Sequence, residues 1–194
     1  MMRSCDRRSS VLVIFAGLVA SAVLGQKPPE AQAAYEPRSG PGAGQKFLEK
    51  LAGEWDVVKT FYPASGDPAR SNGRCVQSMV HGGRFLKSDF VFDGPSGKTT
   101  GLGLIGFESE SGRFTSVWTD SRSTRMSLRR SDMPFNGEEI VLYGRSLDGE
   151  AAGRPRSRTV THLEDGGRRI LHRQYVPGPD GKERLIMELE MTRR

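Results

Sequence analysis

ERLIMELEM, residues 183–191, sets Leu185, Met187, Leu189 and Met191 in alternation with Arg184, Ile186, Glu188 and Glu190. Successive side chains of an extended chain point to opposite faces, so this period of two reads as a strand with one face buried and the other largely wet. Working backward, the same period recurs in RRILHRQYV (168–176), RSRTVTHLE (156–164), EEIVLYGR (138–145), TRMSLR (124–129) and RFTSVWTD (113–120). Further back come the glycine-rich TTGLGLIGFE (99–108), then RFLKSDFVF (84–92), GRCVQSMVH (73–81) and EWDVVKTFY (54–62). Turn signals such as Asp165-Gly166-Gly167 and Asp93-Gly94-Pro95 separate these runs, which number about ten. No stretch after Gly53 offers a helix of three turns, so crossovers for a parallel sheet are missing and the sheet is expected to be antiparallel. With this many strands, closing an up-and-down meander into a barrel removes the exposed edges.

Ahead of the strands, Phe47, Leu48 and Leu51 mark one face of a two-turn helix that Gly53 can end, a lid or plug for the barrel. Residues 34–44 are rich in Pro, Gly and Ser and read as a linker, which leaves 45–194 as the folded domain. Residues 1–33 join a basic head to the apolar VLVIFAGLVASAVLG (11–25) and reach Ala31-Gln32-Ala33. That order predicts a cleaved export signal, cut between 25 and 34, and a periplasmic or secreted destination. The apolar run is shorter than the about 20 residues a membrane span needs, so no stable membrane insertion is expected after cleavage.

Hydrophobic residues make up 36% and charged residues 27% of 194, with 24 glycines. The composition suits one soluble domain with many turns. The formal charge is +6, and removal of 1–33 takes four basic and two acidic residues, leaving +4. So mild a surplus on an exported domain argues against a nucleic-acid partner. Cys5 departs with the signal and Cys75 remains alone, so no internal disulfide is expected.

A short helix, Gly53-Glu54-Trp55 opening the first strand and Arg193-Arg194 closing the last together resemble the G-x-W start of lipocalin-like barrels. In that group a late arginine lies over the tryptophan, which implies structural roles for Gly53, Trp55 and Arg193. More specifically, LAGEWDVV (51–58), GGRFL (82–86), GLGLIGFE (101–108) and FTSVWTDS (114–121) followed by Thr124-Arg125-Met126 resemble, in that order, the bacterial domain of unknown function 1579. The similarity covers about residues 46–194. It departs from the family at Gly106-Phe107-Glu108, where Gly-Tyr-Asp is common, and at Met191-Thr192, where an aromatic often precedes the arginine. The resemblance implies an antiparallel lipocalin-like or calycin-like barrel and almost nothing about activity.

Candidate chemistry is sparse. His81, His162, His172 and Cys75 lack metal-ligand spacing, and no nucleophile elbow, P-loop or dinucleotide fingerprint occurs, so no metal, cofactor or catalytic residue is assigned. A two-residue turn at Asp165-Gly166 sends His162 and His172 to opposite faces, whereas a three-residue turn puts both on one face. Asp120 shares the face of Trp118 and has two readings, a turn-capping carboxylate or a polar group at a pocket mouth orienting a ligand stacked on Trp118. The inner wall is expected to include Trp55, Phe61, Phe90, Trp118, Met126, Leu142, Leu185, Met187 and Leu189. The ligand-contacting candidates are Trp118, Asp120, Met126, Phe90 and His172. The expected function is the binding of a small apolar or amphipathic ligand. The alternative is a non-catalytic envelope protein that partners through an Arg-rich outer face, on which strand alternation puts several of Arg122, Arg125, Arg129, Arg130, Arg154, Arg156, Arg158, Arg168, Arg169 and Arg173. An enzyme or a haem or metal binder is the weakest reading.

Overall fold

A computed structural model describes residues 40–94, 97–145 and 156–194. The expected signal and most of the expected linker lie outside the described residues. One helix, α1 (Ala43–Leu51), precedes ten strands: β1 (Gly53–Phe61), β2 (Ala69–Val80), β3 (Phe85–Gly94), β4 (Gly97–Glu108), β5 (Arg113–Asp120), β6 (Ser123–Arg130), β7 (Glu139–Arg145), β8 (Arg158–Glu164), β9 (Arg169–Pro177) and β10 (Glu183–Arg193). Each strand pairs antiparallel with the next, and β10 returns to β1, giving a closed ten-stranded meander barrel. The expected up-and-down topology is the observed one. Among the described residues no helix is long and apolar enough to cross a membrane.

Strand alternation builds the core. The inward rows include Trp55 and Val57 of β1, Leu86, Phe90 and Phe92 of β3, Phe114 of β5, Ile140 and Leu142 of β7, and Leu189 and Met191 of β10, all buried. Helix α1 closes one end. Its first turn is held by the Gly42 N–H, which donates to Gln45 Oε1 at 2.7 Å, and by Gln45 Nε2, which donates to the Phe107 carbonyl at 2.8 Å. Phe47, Leu48 and Leu51 point into the barrel, as their spacing predicts. Phe47, Phe107, Phe114 and Phe135 then form an edge-to-face cluster with ring centroids 4.9–6.3 Å apart.

The Trp55–Arg193 pairing implied by the resemblance is present. Trp55 is fully buried, its indole donates to the Leu51 carbonyl at 3.0 Å, and the Arg193 guanidinium lies 4.3 Å from the ring centroid. Arg193 also donates to the carbonyls of Lys50, Ala52 and Gly167 at 2.7–2.9 Å, so one side chain of β10 ties the end of α1 to the start of β1 and to the β8–β9 connection. Gly53 has φ +144°, and a Cβ there would sit 2.3 Å from Arg193 Nη1. Backbone freedom and space for the guanidinium both call for glycine.

Three placements differ from expectation, two of them for a reason of register. Met126 is 55% exposed and faces outward. The β5–β6 turn is two residues long, pairing Asp120 with Ser123, and a bulge then pairs Trp118 with Ser127. Putting Met126 on the face of Trp118 requires one more residue in that turn, and a slip of one residue reverses every side chain. A bulge between Leu185 and Met187 pairs Leu185 with Tyr175, out of the inward row of Met187, Leu189 and Met191. Phe61 keeps its parity but is 46% exposed, because β1 reaches its outer end there, remote from α1.

Candidate functional site

Beyond the aromatic plug the barrel encloses a cavity of about 220 Å³. Its apolar wall includes Phe90, Phe92, Trp118, Leu142, Ile170 and Leu189, and polar groups come from Gln77, Ser88, Ser116, Thr159, Thr161 and Gln174. Among the described residues four basic side chains also line it, Lys59, Arg122, Arg129 and His172, and no carboxylate does.

The glycines of β4 serve this wall. Gly101 and Gly103 face inward opposite Phe90 and Ser88, and a Cβ on Gly101 would lie 2.3 Å from Trp118 Cη2. The indole therefore rests against bare backbone and meets Phe90 edge-on at 5.5 Å, while Phe90 stacks on Phe92 at 5.6 Å. In sequence these glycines read as a sharp bend at a barrel corner or as room for another backbone, and what approaches Gly101 is a side chain.

Asp120 positions this wall. Its Oδ2 accepts from Trp118 Nε1 at 3.1 Å and from Arg122 Nη2 at 2.9 Å, and its Oδ1 accepts from the Arg122 backbone N–H at 2.9 Å. These bonds hold its carboxyl down at about 2, the Arg122 guanidinium contributing most. Both oxygens are engaged, and Asp120 is absent from the cavity lining. The carboxylate thus caps the turn and fixes the indole. Lys59 reaches across the mouth, its Nζ 4.1 Å from the Phe92 centroid, and desolvation followed by the Arg122 charge lowers its pKa.

His172 lines the cavity from β9. Its register partner is Thr161, whose hydroxyl lies 2.8 Å from His172 Nδ1. Burial, with a smaller contribution from the Arg129 charge, pushes its pKa down to about 4, so the imidazole is neutral at neutral pH. His162 takes the opposite face, 3.3 Å from Glu139, because a four-residue connection pairs Glu164 with Arg169 and leaves the two imidazoles on opposite sides. They share no ligand. Among the described residues no group of three His, Cys, Asp or Glu side chains converges as a metal site. Cys75 is buried, and burial pushes its thiol up, away from reactivity.

Of the residues singled out in the sequence, Trp118, Phe90 and His172 share the cavity, Asp120 stands behind Trp118, and Met126 lies outside. Lys59, Arg122 and Arg129 are the charged lining residues that sequence reasoning missed. Lys59 sits on the face of Trp55, a parity visible in EWDVVKTFY. Arg129 belongs to the basic cluster of which alternation puts several members outward, and its own inward position follows from pairing with Ser116. Most of the outer cluster is neutralised locally. Arg158 pairs with Glu183 at 2.6 Å, Arg169 with Glu164 and Glu190 at 2.8 Å, Arg173 with Glu188 at 2.6 Å, and Arg145 and Arg156 with Asp132 at 2.5 Å. Arg154 lies outside the described residues.

Residues 40–193 match a family described as "Protein of unknown function (DUF1579)". No curated protein matches the chain. The solved structures that share the fold include two at low identity. Rv2717c from M. tuberculosis has a TM-score of 0.57 at 14% identity, covering 80% of this chain and 99% of that one. The S-type phycobiliprotein lyase CPES from Guillardia theta has a TM-score of 0.54 at 8% identity, covering 78% of this chain and 92% of that one.

Proposed function

The chain belongs to the DUF1579 family, whose function is unknown, and we propose that it is a container, a barrel that holds a small amphipathic molecule and does not react with it. The observation that carries this reading is the cavity of about 220 Å³ walled by Trp118, Phe90 and aliphatic side chains and stopped at one end by α1. A packed interior would leave no such space, and an engineered apolar cavity of about 150 Å³ already takes up benzene. That a barrel of this fold is a phycobiliprotein lyase in Guillardia theta is compatible with a ligand-holding interior. The neutral His172 and inert Cys75 supply neither an acid–base pair nor a nucleophile, which favours holding over catalysis. The reading includes export, based on the order of basic, apolar and A-x-A segments in residues 1–33.

Native mass spectrometry of the protein purified from its own source tests the reading. The expected result is a retained small molecule that is lost from the Trp118→Ala variant, while the unfolding midpoint of that variant falls only modestly. Protein that leaves its source empty and takes up no neutral aliphatic alcohol would overturn it.

A further inference from the structure

Arg129 is an inward-facing arginine with nothing to bind. On β6 it pairs in register with Gly144 of β7 and with Ser116 of β5, a small residue that lines the cavity beside it. No hydrogen bond or ion pair engages it among the described residues, and its Nε is buried without an acceptor. Three outer arginines of the same barrel differ, Arg158, Arg169 and Arg173 each meeting a carboxylate within 2.8 Å. A desolvated guanidinium with no partner is costly, and an apolar residue in its place would suit an apolar container better.

We propose that the ligand is a carboxylate-headed amphiphile and that Arg129 receives the carboxylate inside the barrel. This rests on the container reading and names the class of molecule contained. The planar guanidinium presents paired N–H donors that match the two oxygens of a carboxylate. The Ser116 hydroxyl lies beside it in register, and among the described residues no Asp or Glu lines the cavity. Lys59 and Arg122 add positive charge nearer the mouth, which favours entry of an anion. Arg122 is already held by Asp120, whereas no carboxylate engages the Arg129 guanidinium among the described residues. Apolar surface at Trp118, Phe90 and Leu142 then covers the tail. One guanidinium flanked by a hydroxyl and a neutral imidazole suits the single charge of a carboxylate.

Calorimetric titration of the delipidated protein with decanoate and with decan-1-ol tests this, since the two differ only in the head group. The expected result is that decanoate binds about tenfold or more tightly than the alcohol, as a charge-assisted bidentate pair implies. In Arg129→Met that preference disappears while decan-1-ol affinity stays within about twofold. Arg129→Lys, which keeps the charge and loses the planar fork, retains part of the preference, and an undiminished unfolding midpoint in each variant shows that the barrel is intact. Equal binding of the two probes by the native protein overturns the carboxylate proposal and leaves the container standing. A preference that survives Arg129→Met overturns the assignment to Arg129. Failure of both probes to bind overturns the container reading and this proposal with it.

Discussion

Lowering the pH from neutral is predicted to destabilise the barrel through His172 before most carboxylates titrate. The imidazole is placed against Thr161, beside Leu189 and within the field of Arg129, and its pKa falls from the ordinary 6.5 to about 4. Above the unfolded value both states are neutral and this group adds no pH dependence. Between the two values the unfolded chain binds a proton that the folded barrel refuses, so stability rises with pH across that window and is lost as pH falls through it. Integrated over the interval, the loss is about 3 kcal/mol, since each unit is worth about 1.4 kcal/mol. For a domain of this size that lowers the melting temperature by about 6–12 °C. The assay is urea unfolding followed by tryptophan fluorescence over a pH series, for the native protein and for His172→Gln, which keeps a polar contact with Thr161 and does not titrate. The native curve should fall away from that of the variant between neutral pH and the folded pKa, then run parallel below it. Two curves that stay parallel across the whole window would refute the placement of a neutral, desolvated imidazole.

Two further perturbations probe the fold that positions the site. Trp55→Ala removes a fully buried ring that binds Leu51 and stacks under Arg193, and should cost about 3–5 kcal/mol in denaturant unfolding; a near-neutral effect would contradict its place under Arg193. Gly101→Val drives a side chain into the Trp118 ring, so unfolding free energy should fall by about 1–3 kcal/mol and the tryptophan emission should shift. An unchanged spectrum would show that the indole does not rest on that glycine.

Much of the wall was legible in the sequence because its signal is local. EWDVVKTFY places Trp55, Val57 and Lys59 on one face whatever surrounds it, and FLEKL shows the buried stripe of α1 without knowledge of what it covers. The partnership of Trp55 with Arg193, 138 positions apart, is not a matter of periodicity. It entered through the family resemblance, and the geometry at Gly53 accounts for it. The glycines of β4 were visible as glycines, but their purpose depended on Trp118 arriving from the neighbouring strand. Met126 and Arg129 changed places for want of one residue in a turn, since Ser121-Arg122 alone links β5 to β6.

The sequence by itself determined that the domain is an antiparallel meander with one apolar face per strand, because side-chain direction in an extended chain alternates within the strand. Tertiary structure decided which alternate row lines the interior wherever a turn or bulge leaves parity open. Register is settled between strands, by turn length, bulges and the closure of β10 on β1. By that route an arginine that reads as surface came to lie inside the cavity, and the two histidines were separated by the barrel wall.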